Sequence, residues 1–182
     1  MLSACNINVE APSPRIGPIL AIFQAYLMAS PWLRAVIQPD RMRTVLPFIE
    51  PFSELYQKIV LAPDYTPSLE EFIDEYCLHN PSKNRELNLL PLLTRIAPDA
   101  VERALGFAYP TDRPTFHYRL PNARAGNPNW SIAEEWNRWV TIEKLALDAS
   151  RLDKAKEAWN QMRADGTFKE RWISLMAAEL TG

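Results

Sequence analysis

A short alternating segment, "RPTFHYRLPN" at residues 113–122, carries the side chains best suited to chemistry. Read with a period of two, Phe116 and Tyr118 point to one side of a strand, while His117 and Arg119 point to the other. Arginine offers a rigid fork of donors for carboxylate or phosphate, and histidine can donate or accept a proton near neutral pH. The pattern therefore predicts either a solvent-wetted strand face or one wall of a site for an anion.

A second alternating segment, "ACNINVEAP", lies near the start of the sequence. Its polar positions are Asn6, Asn8 and Glu10. If the two segments are neighbouring strands, these side chains share a surface with His117 and Arg119. The amides would orient a ligand without adding charge, and Glu10 would offer one oxygen to magnesium, an ion that usually needs further carboxylate or phosphate oxygens. The alternative is a sheet wetted on one side, where polar alternation is expected.

Other candidates give weaker signals. The stretch "NRELN" puts Asn84 and Arg85 in a connection between elements, where ligand binding and local conformation are equally good reasons for such residues. Trp136 and Trp139 lie on one helical stripe, which predicts core positions. Glu143 is expected to pair with a buried partner such as an arginine, and a catalytic carboxylate is the alternative. With 5 glycines, the sequence has too few for a phosphate-cradling glycine loop.

The elements that must position these residues are mostly helical. Helical periodicity follows Arg15, and Ser30-Pro31 predicts the start of a second helix. Ser68 and Glu71 form a capping-box pattern, and Gly106 is a typical helix stop. A long helix is predicted from Ser131, with helical character running on to a stop at Gly166, and a terminal helix is predicted after it. The fold class is therefore α+β, predominantly helical with a small antiparallel sheet. Two strands alone are marginal, so the sheet needs helix packing or further strands.

Composition restricts the class of protein. The chain has 182 residues and 20.9 kDa, which suits a single domain over residues 1–182. A net charge of -2 gives no electrostatic reason to expect nucleic acid or a membrane surface as partner. Cys5 and Cys77 fit buried free thiols in a reducing compartment. The apolar run "ILAIFQAYLMA" is shorter than a spanning helix needs, so a cytoplasmic location is expected.

Three segments in sequence, "NRELNLLPLL", "RPTFHYRLPN" and "NPNWSIAEEWNRWVTIEKLALD", resemble the C-terminal half of the amidoligase family. The upstream "PILAIFQAYLMASPWLRAVIQPDRMR" is similar to the helical stretch that precedes these motifs in the family. Such proteins resemble glutamine synthetase and glutamate–cysteine ligase, whose antiparallel sheet binds ATP and magnesium. The resemblance implies ATP-dependent amide formation, in which a carboxylate is phosphorylated and an amine attacks the acyl phosphate.

The resemblance also implies roles for particular residues. Arg119 is expected to contact phosphate or the reacting carboxylate, flanked by His117 and Asn122 as the further site residues of that strand. The remaining expected ligand contacts are Asn6, Asn8, Asn84 and Arg85 for nucleotide or substrate, and Glu10 for metal. The family's strand of closely spaced glutamates has no counterpart, because only five residues precede Asn6. The sequence is therefore expected to lack the N-terminal strands of the full fold.

Three hypotheses follow from the residues and the resemblance together. The protein is an amidoligase-like enzyme whose missing strands come from a second subunit or an upstream segment. Alternatively, it is a degenerate relative that binds a carboxylate or a nucleotide without turning it over. The third hypothesis is a non-catalytic helical protein–protein interaction module that uses its strand edges to pair with a partner.

Overall fold

The computed structural model describes residues 5–45, 49–124 and 126–181. Within these residues the chain forms two compact units. Unit 1 contains the described parts of residues 1–19, 39–53 and 66–123. Unit 2 contains the described parts of residues 20–38, 54–65 and 124–182.

Three strands and nine helices are present in the described ranges. The strands are β1 (Ile7–Glu10), β2 (Leu87–Asn88) and β3 (Thr115–Tyr118). The helices are α1 (Ile16–Ile37), α2 (Arg41–Val45), α3 (Glu54–Val60), α4 (Leu69–His79), α5 (Leu90–Ile96), α6 (Pro98–Leu105), α7 (Ile132–Leu147), α8 (Ala149–Ala164) and α9 (Phe168–Thr181). The predicted α+β class, predominantly helical with a small antiparallel sheet, is confirmed.

The sheet of unit 1 has the order β1-β3-β2, with both pairings antiparallel. The two strands predicted from alternation, β1 and β3, are direct neighbours, and Asn8 lies opposite His117. The short central-sequence strand β2 was not predicted, because two residues carry no detectable period. It supplies a second partner for β3, which explains how so short a sheet is supported.

A further segment extends the pairing beyond β2. The Glu50 N–H donates to the Asn84 carbonyl at 2.9 Å, and the Glu86 N–H donates to the Glu50 carbonyl at 3.1 Å. These two bonds form a parallel bridge between Glu50 and Arg85. Residues before β2 are therefore held in an extended conformation, in which successive side chains point to opposite faces.

One face of the sheet is apolar and buried. Its side chains are Ile7, Val9, Leu87, Phe116 and Tyr118. A slip of one residue in register would move this set to the other face, so burial fixes the register and with it the polar face. The side chains predicted to carry chemistry are thereby held on the opposite surface of the same strands.

Two predicted helix boundaries of unit 1 are confirmed. At the start of α4 the Ser68 hydroxyl accepts from the Glu71 N–H at 3.3 Å, and the Glu71 carboxylate accepts from the Ser68 N–H at 2.7 Å. These bonds lower the pKa of Glu71. Helix α6 ends at Gly106, whose φ of 78° lies in the left-handed region that glycine adopts without strain.

Helix α1 runs without interruption from Ile16 to Ile37, so the prediction of a new helix at Ser30-Pro31 was wrong. Proline removes one backbone donor from the helix interior. Burial of residues on both sides of Pro31, such as Met28 and Leu33, offsets that loss. By length and composition α1 could cross a membrane, but 67% of its most apolar window is buried within the protein, as in the core helix of a soluble protein.

Unit 2 packs its helices around aromatic side chains. Trp139, Trp159 and Trp172 are buried, and the Trp172 indole donates to the Met28 carbonyl at 2.8 Å. Trp136 is 47% exposed, so its predicted core position was wrong. The buried positions of α7 are Glu135, Trp139, Ile142 and Leu145, so Trp136 lies beside the buried stripe and not in it.

The expectation that Glu143 pairs with a buried partner is met by Trp139, although the partner is not an arginine. Its carboxylate accepts from the Trp139 indole N–H at 2.9 Å. A buried indole N–H needs an acceptor, and position i+4 on the same helix provides one.

Candidate anion-binding site

The polar face of the sheet brings together the strand residues predicted to form a site. Asn8, His117 and Asn88 lie opposite one another in one row across the three strands, and Glu10 lies opposite Thr115. Continuing the same register places Asn6 opposite Arg119. Directly opposed residues on one face have Cβ atoms about 5 Å apart, so these polar side chains form one continuous surface.

Arg119 is firmly placed but sparsely partnered. Its backbone N–H donates to the Glu86 carbonyl at 2.8 Å, which extends the pairing of β2 with β3. Its half-buried guanidinium donates to the carbonyl of Lys83, and among the described residues it forms no ion pair. Burial lowers the pKa of Arg119. Most of its five N–H donors therefore remain available to a ligand.

His117 lies beside Arg119 on this face and has an unsatisfied ring nitrogen. Its Nε2 is buried and has no hydrogen-bond partner among the described residues. Burial lowers the pKa of His117, and the positive charges of Arg119 and Arg113 lower it further. The imidazole is therefore neutral at pH 7 and able to accept a proton.

A loop after α6 adds polar groups to the same surface. The Asn88 amide, on a side chain only 2% exposed, donates to the Tyr109 hydroxyl at 3.3 Å. Tyr109 also lies close enough to Arg119 to interact electrostatically with its guanidinium. Sequence reasoning did not find Tyr109, because a single tyrosine in a loop carries no periodic signal.

Arg43 is the most important residue that the sequence pattern did not mark. It is 3% exposed, and its Nη1 donates to the Pro121 carbonyl at 2.7 Å and the Leu120 carbonyl at 3.2 Å. Its Nη2 donates to the Arg119 carbonyl. The stretch "DRMR" contains two arginines, and nothing in the sequence distinguishes the buried one. Arg43 fixes the backbone from which the Arg119 side chain extends.

Asn122 is placed with Arg43 rather than on the polar face. Its Oδ1 accepts from the Arg43 guanidinium at 3.3 Å and from the Asp40 N–H at 3.0 Å. The side chain is 4% exposed. These contacts connect the end of β3 to the segment before α2, so Asn122 contributes to the architecture that holds Arg119.

Arg85 lies on the side opposite Glu86 and is extensively bound to the protein. Its guanidinium donates to the Pro51 carbonyl at 2.7 Å and the His79 carbonyl at 3.1 Å. It also lies 3.6 Å from the Glu50 carboxylate. The neighbouring Asn84 uses its carbonyl to accept from Glu50, as described above. The structure therefore holds the Arg85 guanidinium away from the face of His117 and Arg119, whereas the alternation of the extended segment leaves Asn84 on the same side as Glu86 and Asn88.

The carboxylates near the polar face do not form a magnesium cage. No group of three or more histidine, cysteine, aspartate or glutamate side chains suited to a metal is found among the described residues. Glu10 is exposed, and Glu86 is fully buried. Glu86 is level with Asn6 across the sheet, and Glu10 is four residues along β1, about 13 Å away along the strand. These residues do not fit a resident magnesium ion, whereas Arg119 and His117 fit a phosphate or carboxylate.

The fold and this surface define an α+β protein whose sheet has a polar face with a half-buried arginine that can bind an anionic ligand. A family model described as "Putative amidoligase enzyme" matches residues 4–141, which include all three strands. The chain belongs to this amidoligase family. Searches of curated proteins and of solved structures found no match.

Proposed function

We propose that this amidoligase is an ATP-dependent carboxylate–amine ligase that works through an acyl phosphate. The γ-phosphoryl group of ATP passes to a carboxylate oxygen, which gives an acyl phosphate and ADP. An amine nitrogen then attacks the acyl carbon, the bond from that carbon to the phosphate oxygen breaks, and inorganic phosphate leaves. The nitrogen loses one proton as the amide forms. Both steps develop negative charge on oxygens that a fixed cation can stabilise.

The observation that supports this proposal most directly is that the side chains of Arg119 and His117 are neighbours on one face of the sheet. The Arg119 guanidinium has free donors directed to no carboxylate of the described chain, so it is suited to bind the transferring phosphoryl group or the reacting carboxylate. A cation held by the protein in advance stabilises developing charge without reorganising during the reaction.

In this proposal His117 accepts the proton that the attacking amine loses. A base must be unprotonated at the working pH, and the lowered pKa of His117 meets that condition. Asn8 lies on the adjacent strand β1 and Asn6 directly before it, and both would orient the bound groups through their amides.

The proposal also includes magnesium, the cellular location, the plan of the sheet and a second subunit. Magnesium would arrive as the magnesium–ATP complex, since the described residues do not form a cage for it. We further propose a cytoplasmic setting and a sheet plan like that of glutamine synthetase. In the described sheet β1 pairs on one side only, with β3, so its outer edge is where a second subunit would add strands.

The test combines nucleotide binding with product formation. Magnesium–ATP at about 100 times its Kd should stabilise the folded protein by about 2.7 kcal/mol. Arg119→Met should abolish the resulting shift in melting temperature, whereas Arg103→Met, at an exposed position of α6, should not. Release of ADP and phosphate that requires both a carboxylate and an amine would establish the reaction. A normal nucleotide shift in Arg119→Met would remove Arg119 from the site.

A second candidate function, the interaction module, is favoured by a different surface. Ile132 and Trp136, one turn apart on α7, are 53% and 47% exposed. Neighbouring exposed apolar side chains are typical of protein contacts. If Trp136→Ala changes the oligomeric state by size-exclusion chromatography and no nucleotide stabilises the protein, the interaction module is the better description.

A further inference from the structure

Unit 1 contains a cavity of about 330 Å³ at the end of the β1–β3 pair. Its volume lies at the lower limit of ligand pockets, which span about 300–1,000 Å³. The walls are partly apolar and are formed by Ala11, Pro14, Leu92, Ile96 and Pro114, and the polar lining residues are Glu10, Ser13 and Arg95. A pocket of this size and lining suits a small molecule with an apolar part and a few charged groups.

The two charged side chains in this lining have opposite signs and do not neutralise each other. Glu10 forms no hydrogen bond or ion pair among the described residues, and no bond joins it to Arg95. Arg95 lies 3.2 Å from Asp112, and its side chain is 60% exposed, so part of its donor fork faces outward. A carboxylate and a guanidinium lining one cavity are complementary to an ammonium and a carboxylate on one small molecule.

The cavity borders the candidate anion-binding site. Glu10 and Thr115 form the row of the sheet next to the row that contains Asn8 and His117. Neighbouring positions of one face along a strand are two residues, or about 7 Å, apart. A group that Glu10 holds in the cavity would therefore lie about 7 Å along the strand from the row of His117, the proposed proton acceptor.

We propose that this cavity binds an α-amino acid with a small apolar side chain, and that this amino acid is the amine substrate. Glu10 receives the ammonium group, and Arg95 receives the carboxylate. Leu92, Ile96 and the two prolines contact the side chain. This assignment rests on the proposed ligase function for the fate of the amine, although the binding itself does not require nucleotide.

The proposal gives Glu10 a ligand other than magnesium. A magnesium site needs several oxygen ligands around one point, and the cavity lining offers a single carboxylate. An ammonium group needs only one carboxylate and a few further acceptors nearby. The cavity's chemistry therefore favours an ammonium as the partner of Glu10.

Isothermal titration calorimetry with L-leucine, without nucleotide, tests the binding site. Isoamylamine, which lacks the carboxylate, and isocaproate, which lacks the ammonium, should each bind more weakly than leucine. Glu10→Gln and Arg95→Gln should each weaken leucine binding about tenfold, because each removes one charged hydrogen-bond partner. Glu102→Gln and Arg103→Gln, exposed charges on α6, are the matched controls and should leave binding unchanged.

The outcomes separate this inference from the proposed function. Absence of leucine binding at millimolar concentration, in a protein that magnesium–ATP stabilises through Arg119, overturns the amino-acid site and leaves the ligase proposal standing. Leucine binding that depends on Glu10, in a protein without any nucleotide response, supports the site and counts against the ligase. Magnesium chloride binding that Glu10→Gln abolishes, with leucine binding unchanged, returns Glu10 to a metal and overturns the inference.

Discussion

At the end of β3 the Arg43 guanidinium is surrounded by acceptors, whereas on the neighbouring polar face the Arg119 guanidinium has one. Arg43 donates to three backbone carbonyls and to the Asn122 side chain. Arg119 donates to the Lys83 carbonyl alone among the described residues. Both side chains lie in unit 1, and the positive charge of Arg119 contributes to lowering the pKa of Arg43. Two arginines that influence each other electrostatically therefore differ in their hydrogen bonding: one has several acceptors and the other has one.

This difference separates an arginine that holds the fold from one that is free to bind. A buried guanidinium is tolerated when its donors are paired, and removing it leaves the paired carbonyls unsatisfied. A guanidinium with spare donors contributes little to stability and has donors to offer a ligand. The same comparison places Arg85 with Arg43, since Arg85 donates to two carbonyls and lies near Glu50.

The largest expected effect is that of Arg43→Met. The substitution keeps much of the apolar stem and leaves the carbonyls of Arg119, Leu120 and Pro121 without their donor. We expect a loss of about 3 kcal/mol in the free energy of unfolding. Urea denaturation followed by circular dichroism measures it. A loss below about 1 kcal/mol would mean that water replaces the guanidinium freely and that the comparison does not hold.

Arg85→Met should have the next largest effect, a loss of about 2 kcal/mol. It removes two donors from carbonyls and one partner from Glu50, and the Glu50 side chain, which is 41% exposed, can take water in place of that partner. The magnesium–ATP shift should remain if Arg85 is structural. Loss of that shift in a variant that folds normally would instead place Arg85 in the ligand site and weaken the distinction between the two classes of arginine.

Arg119→Met is expected to lower the free energy of unfolding by about 1 kcal/mol or less, since one hydrogen bond to a carbonyl is lost. Its effect on ligand binding should be large by contrast. In denaturation without ligand, Arg43→Met should therefore have the larger effect. In the nucleotide-induced melting shift, Arg119→Met should have the larger effect. If Arg119→Met proves as destabilising as Arg43→Met, Arg119 belongs with the structural arginines.

Whether the sequence predicts an interaction depends on how close the two partners are along the chain. The alternation of β1 and β3 identified their faces correctly, because a half-buried strand must place polar and apolar side chains on opposite sides. The capping box at Ser68 was found for the same reason, since its partners are three residues apart. Within the polar face, the residues brought together by strand pairing were therefore predictable.

Interactions between distant segments could not be predicted in this way. Arg43 contacts carbonyls more than 70 residues later in the chain, and backbone carbonyls carry no sequence signal. Strand β2 has two residues, too few for a period, and exists because β3 offers an edge for pairing. The exposed Trp136 was misplaced because a helical stripe fixes only relative angles, and the neighbouring helices decide which edge of the stripe is buried.

The smallest expected effect concerns His117 and is confined to mildly acidic pH. Its pKa in the folded protein is lowered from 6.5, so below that pH the unfolded chain binds more protons than the folded chain. The neutral imidazole is therefore compatible with full stability above about pH 6.5, and stability falls as the pH decreases toward the lowered folded pKa. His117→Asn should reduce the fall in melting temperature between neutral pH and the lowered folded pKa of His117. The loss of stability at still lower pH, which comes from carboxylates such as Glu71, should persist. A variant whose acid sensitivity equals that of the parent protein would show that His117 is protonated freely in the fold, and the unprotonated base that the polar face needs would then be absent.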